Sequence, residues 1–220
     1  MKKTWLALVV FLSLACIMPT KQKTVVFFGD SITEAGVKPG GYINLLQEQL
    51  TQQGRANGYR LLGAGISGNK VYDLYLRLES DVLATKPDMV VVYIGVNDVW
   101  HKSLLRTGTD ADKFEKFYQA IITKLQQQGI ATVLCTPAVI GEQKGGINPM
   151  DADLDSYSAV IRQLASKNKC KLIDLRQLFV DHSAKHNGAN AYEGILTSDG
   201  VHLNAEGNAL VASQMMTVLP

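Results

Sequence analysis

From residue 23 onward the chain alternates between continuously apolar runs and stretches with helical spacing. KTVVFFG, over 23–29, has an unbroken apolar centre and predicts a buried strand. GYINLLQEQL then places Tyr42, Leu45, Leu46 and Leu50 on one helix face and stops before Gly54. By the same reading, strands are predicted at 59–66 (YRLLGAGI), 88–95 (DMVVVYIG), 130–135 (IATVLC) and 171–175 (KLIDL). Helices are predicted at 71–84, 110–129, 151–167 and 205–219. In the second of these, Phe114, Phe117, Ile121 and Leu125 form the core face. The acids of DADLD, at 151–155, suit the positive end of the third.

Strands alternating with helices imply parallel pairing. Strands apolar on both faces need helices on both sides. The expected fold is therefore α/β, a three-layer α/β/α sandwich around a five-stranded parallel sheet, in one domain over 24–220. No repeat or interdomain linker breaks it. The longer loops expected at 98–109, 137–150 and 179–198 each follow the carboxyl end of a strand, where open α/β sheets bind ligands.

Composition adds limits. The 220 residues carry a net charge of +2, with 46% hydrophobic and 19% charged residues, as expected of a globular domain with a full core. Beyond Lys2-Lys3 there is no basic cluster, which argues against a nucleic-acid partner. Those lysines precede TWLALVVFLSLACIM, a run too short for a comfortable membrane span and laid out as a secretory signal within 1–23. Cleavage after Ala15 leaves Cys16 first, the arrangement of a bacterial lipoprotein signal. Export from a bacterial cytoplasm is expected, to the periplasm, the exterior or a membrane tether through lipidated Cys16. Cys135 closes one strand and Cys170 opens another, roughly 15 Å apart at about 3.3 Å per residue. That is beyond disulfide reach, so two unpaired thiols are expected.

Four fragments carry candidate chemistry, each with a plain alternative. Ser31 follows the first strand in Gly29-Asp30-Ser31 and opens a helical turn, where free N–H groups can hold a developing oxyanion. The alternative is an N-cap. In TSDGVHLNAEG, Asp199 and His202 lie three apart, so one turn can set the carboxylate on Nδ1 and leave Nε2 to take the Ser31 proton. The alternative is turn chemistry, with Asn204 capping the last helix. Asn97, in IGVND after the central strand, offers an amide donor or a loop cap. Gly68, in GAGISGNK, lets a backbone N–H approach a carbonyl. The same stretch matches a dinucleotide fingerprint at Gly63, Gly65 and Gly68. It follows the second strand rather than the first, however, and no acid closes the next strand. Asp30 and Trp100 are the candidate substrate contacts; the alternative for Trp100 is packing down its own loop. His182 and His186 have a chelating spacing in a polar, loop-like stretch, and no metal is expected there. Glu34 receives no role.

These fragments, FFGDSITEAG, the Gly68 segment, IGVND and DGVHLNAEG, resemble the four blocks of the SGNH (GDSL-like) hydrolase family in order, across nearly the whole mature chain. The resemblance implies Ser31 as nucleophile, His202 as base and Asp199 as its orienter. It implies an oxyanion hole of the Ser31 and Gly68 N–H groups with the Asn97 side chain, no cofactor, and a flavodoxin-like sheet order of 2-1-3-4-5. The implied reaction is two-step acyl transfer from an ester. The rim loops are polar and no interfacial lid is evident, which favours a short acyl group on a polar alcohol such as an acetylated sugar. A lysophospholipase or thioesterase of the same family, or a non-catalytic carbohydrate-binding protein on this fold, is the alternative.

Overall fold

The apolar runs form the centre of the molecule. In a computed structural model that describes residues 22–219, β1 (Lys23–Gly29), β2 (Tyr59–Gly65), β3 (Met89–Tyr93), β4 (Ala131–Cys135) and β5 (Lys171–Ile173) make one parallel sheet. Its order is β2-β1-β3-β4-β5. The expected signal segment and Cys16 lie outside the described residues. All five residues of β3 are buried, as a central strand covered on both faces requires.

The helices are α1 (Ser31–Gly36), α2 (Tyr42–Gln52), α3 (Val71–Asp81), α4 (Val96–Leu105), α5 (Ala111–Gln127), α6 (Asp151–Asn168), α7 (Leu175–His186) and α8 (Ala205–Val218). The α2 helix packs on α8, while α3, α5 and α6 pack in succession. On α5 the buried stripe is Phe114, Tyr118, Ile121, Ile122 and Leu125. Phe117, expected in that stripe, turns instead toward α3, with ring centroids 5.6 Å from Tyr75 and 6.4 Å from Tyr72.

Two expected loops contain helices. Within 98–109 the chain continues α4, whose buried residues are confined to Val96–Val99, while Leu104 and Leu105 are exposed. One buried turn gives no period to read. Within 179–198 the chain continues α7, which also makes the stretch around His182 and His186 helical rather than loop-like. Its buried face is Leu175, Arg176, Phe179 and Ser183, and half of that stripe is polar. β5 is shorter than predicted because Asp174 leaves the strand to cap α7, accepting from Gln177 N.

Cys135 and Cys170 are free. Cys135 faces Ile173 across the sheet, which sets Cys170 three residues out of register. At about 3.3 Å per residue that is roughly 10 Å, closer than expected from sequence and still too far for a disulfide.

Candidate active site

The site begins where β1 runs out. Gly29 ends the strand, Asp30 leaves the extended conformation, and Ser31 is the first residue of α1. Asp30 is buried, and its Oδ1 accepts the N–H of Ile32 at 3.0 Å. Burial pushes this carboxyl up to about 6, against the opposing pull of the Ile32 N–H and of His202. The Asp30 carboxylate, a candidate substrate contact from sequence, turns inward and caps the helix that presents Ser31.

Ser31 Oγ lies 3.0 Å from His202 Nε2, across 171 residues of sequence. His202 Nδ1 lies 2.7 Å from Asp199 Oδ2. The other carboxylate oxygen, Oδ1, accepts the backbone N–H groups of His202 at 2.7 Å and Val201 at 2.9 Å. Burial alone would raise the Asp199 carboxyl, but the hydrogen bonds from the His202 ring and from both N–H groups outweigh it. They hold the carboxyl below its ordinary range. An ionised carboxylate only accepts, so Nδ1 carries the ring proton and Nε2 is left as acceptor for the Ser31 hydroxyl. This arrangement can draw a proton from Oγ as it attacks a carbonyl.

Two further segments converge on this edge. Asn97 lies in the first turn of α4 and is almost fully buried. One hydrogen of its Nδ2 goes to Asn69 O at 3.1 Å, and an amide nitrogen has a second to give. Gly68 has φ +76°, which a glycine adopts without strain, and a Cβ placed there would come within 3.8 Å of His101 Cε1. Trp100 stands edge-on to His202, with centroids 6.4 Å apart, so it walls the imidazole.

The dinucleotide reading of Gly63, Gly65 and Gly68 meets a different packing. A Cβ on Gly65 would lie 2.1 Å from Glu34 N, and one on Gly63 would lie 2.3 Å from Val37 Cγ1. Those glycines make room for α1, not for a phosphate.

Sequence reasoning missed two carboxylates. Glu34 Oε2 accepts the N–H of Ser67 at 2.6 Å. Glu142, buried, accepts from Ile195 N at 2.8 Å and, through Oε1, from Leu196 N at 2.5 Å and Thr197 N at 3.1 Å. It thereby gathers the segment that leads into Asp199 and His202. An acid in a helix's first turn and an acid in a glycine-rich loop are both unremarkable by sequence, so nothing marked either. A cavity of about 340 Å³ opens elsewhere, between the 139–148 segment, α6 and α7, and neither Ser31 nor His202 lines it. Arg176 in its wall is held by Asp151 at 2.8 Å and Asp155 at 2.7 Å.

An α/β/α domain with a Ser–His–Asp chain of hydrogen bonds at the carboxyl edge of its sheet has the build of a serine hydrolase. The model of the GDSL-like lipase/acylhydrolase family matches residues 27–210. The chain is 31% identical over 206 residues to an acetylxylan esterase of Geobacillus stearothermophilus, covering 86% of this chain and 90% of that one. The crystal structure of an acetyl xylan esterase, AlAXEase, superposes with a TM-score of 0.89 at 57% identity, over 90% of this chain and 100% of that one. A more distant relative, 24% identical over 215 residues and 85% of each chain, is the uncharacterized lipoprotein YqeF of Bacillus subtilis. The chain belongs to the GDSL-like lipase/acylhydrolase family and is a carboxylic ester hydrolase.

Proposed function

We propose that this protein is an exported serine esterase that removes acetyl groups from a carbohydrate alcohol by way of an acyl-enzyme on Ser31. The observation that carries the mechanism is the unbroken chain from Ser31 Oγ through the His202 ring to the Asp199 carboxylate. Ser31 attacks the ester carbonyl while His202 Nε2 takes the hydroxyl proton. The tetrahedral oxyanion rests on the N–H groups of Ser31 and Gly68 and on the second hydrogen of Asn97 Nδ2. His202 returns its proton to the departing alcohol, and water, activated by the same imidazole, then releases acetate. No step calls for a metal or cofactor.

The acetylated-sugar substrate is supported by the relatives named for acetylxylan and by the polar rim loops. Export is supported by the layout of residues 1–23, and a lipid tether at Cys16 by the lipoprotein relative. Among the described residues no helix is long and apolar enough to cross a membrane. The test is hydrolysis of acetylated xylo-oligosaccharides beside p-nitrophenyl esters of increasing acyl length, with Ser31→Ala as control. Preference for acetyl and loss of turnover in the variant are expected. A preference for long acyl chains, or an equally active variant, contradicts the reading. Cys16→Ser is expected to move the protein from the membrane fraction to the soluble exported fraction.

A further inference from the structure

Resting on that esterase reading, we propose that Glu34 is a positioning residue that ties the nucleophile's helix to the oxyanion loop, setting the Gly68 N–H relative to Ser31. Glu34 stands three residues after Ser31 on the six-residue α1, so the two side chains rise from neighbouring points of one short helix. Its Oε2 accepts the Ser67 N–H at 2.6 Å, a short charge-assisted bond. Ser67 directly precedes Gly68, so with the Ser67 N–H fixed only the two dihedrals of Ser67 separate that anchor from the Gly68 N–H.

The approach that permits this bond is built into the fold. At Gly65 a Cβ would lie 2.1 Å from Glu34 N and 2.5 Å from the Thr33 carbonyl carbon. Only a residue without a side chain lets the end of β2 press against the first turn of α1. Ile66 N then donates to Gly29 O at 3.3 Å and closes the corner.

Beyond Ser67, other side chains hold the loop. Lys70 Nζ donates to Gly68 O at 3.0 Å, Asn97 Nδ2 to Asn69 O at 3.1 Å, and Arg77 Nε to Asn69 Oδ1 at 2.7 Å. These anchors belong to α3, its cap and α4. Glu34 belongs to the helix that carries the attacking oxygen. Its bond therefore fixes the donor loop to the helix that carries the nucleophile, beside the corner where Ile66 N and Arg77 Nη2 donate to Gly29 O. The hydrogen bonds from Ser67 hold the Glu34 carboxyl below its ordinary range, so the bond is charged at the pH of most assays.

The test compares full-length wild type, Ser31→Ala, Glu34→Ala, Glu34→Gln and Glu34→Asp on p-nitrophenyl acetate, with thermal melts of each. Glu34→Ala is expected to lower kcat about 10- to 100-fold while KM stays within about threefold, because a displaced donor is felt in the transition state. Glu34→Gln keeps an acceptor at the same reach and is expected to recover most of kcat. Glu34→Asp, too short to reach Ser67, is expected to fall with alanine. If Glu34→Ala does not fold, the contrast between Gln and Asp carries the same expectation. A kcat for Glu34→Ala within about threefold of wild type, a loss confined to KM, or Gln no better than Ala or Asp overturns the proposal. Ser31→Ala separates the two claims. If it is as active as wild type, the esterase reading itself fails. If it is inactive while Glu34→Ala is fully active, only the positioning role fails.

Discussion

At the scale of single residues, the carboxylates at the site do opposite things because their surroundings differ. Asp199 is half exposed, is held below its ordinary range by three hydrogen bonds and orients an imidazole. Replacing it with Asn keeps the shape but lets the ring tautomer reverse. Asp199→Asn is expected to lower kcat roughly 10³- to 10⁴-fold with little change in Tm. Steady-state hydrolysis and a melt check this; near-full activity contradicts it. Asp30 is buried and pushed up from 3.8 to about 6. A carboxyl raised in the folded state stabilises the fold fully below its unfolded pKa, and that contribution disappears as pH rises through the folded value. The contribution is at most roughly 3 kcal/mol. Asp30→Asn keeps an oxygen for the Ile32 N–H and removes the titration. Its Tm is expected to fall less than that of wild type between about pH 4 and pH 6, and parallel profiles contradict this. From sequence, Asp30 reads as a candidate substrate contact beside Ser31. Its burial and its bond to the Ile32 N–H come from packing that no local pattern records.

At the scale of elements, the helix–strand contacts carry the tightest constraints. Gly65→Ala would press a methyl into the backbone of α1, where no flexible side chain can give way. It is expected to destabilise the fold by at least about 1–3 kcal/mol in urea unfolding and to lower kcat as the corner opens. Glu142→Ala would leave the buried N–H groups of Leu196 and Thr197 without their acceptor. A loss of at least about 2 kcal/mol is expected, with faster amide exchange at 195–197. Unchanged exchange there would contradict a clamping role. Most elements were legible because their apolar residues run unbroken in the strands or repeat at 3.6 in the helices. The α4 and α7 helices were not, because a helix with one buried turn, or with Arg176 and Ser183 on its inner face, shows no such repeat. Glu34 and Glu142 were hidden for a related reason: both act on backbone N–H groups distant in sequence, which leave no motif.

At the scale of the whole molecule, the sheet order does the assembling. With β1 beside β2 and β3, the ends of those strands deliver Ser31, the Gly68 loop and Asn97 to one edge, and the segment before α8 brings Asp199 and His202 back to it. The four blocks were readable one by one. Their meeting in space followed from alternating strands and helices together with the family resemblance, whereas the separate cavity beside Arg176 had no sequence signature at all. The central claim is that the Ser31 hydroxyl, activated by His202, becomes acylated during turnover. Peptide mass mapping of enzyme quenched during hydrolysis of an acetyl ester tests it most directly. Acetyl on Ser31 is expected in the wild type and none at that position in His202→Ala; rapid turnover with Ser31 never acylated would contradict the acyl-enzyme.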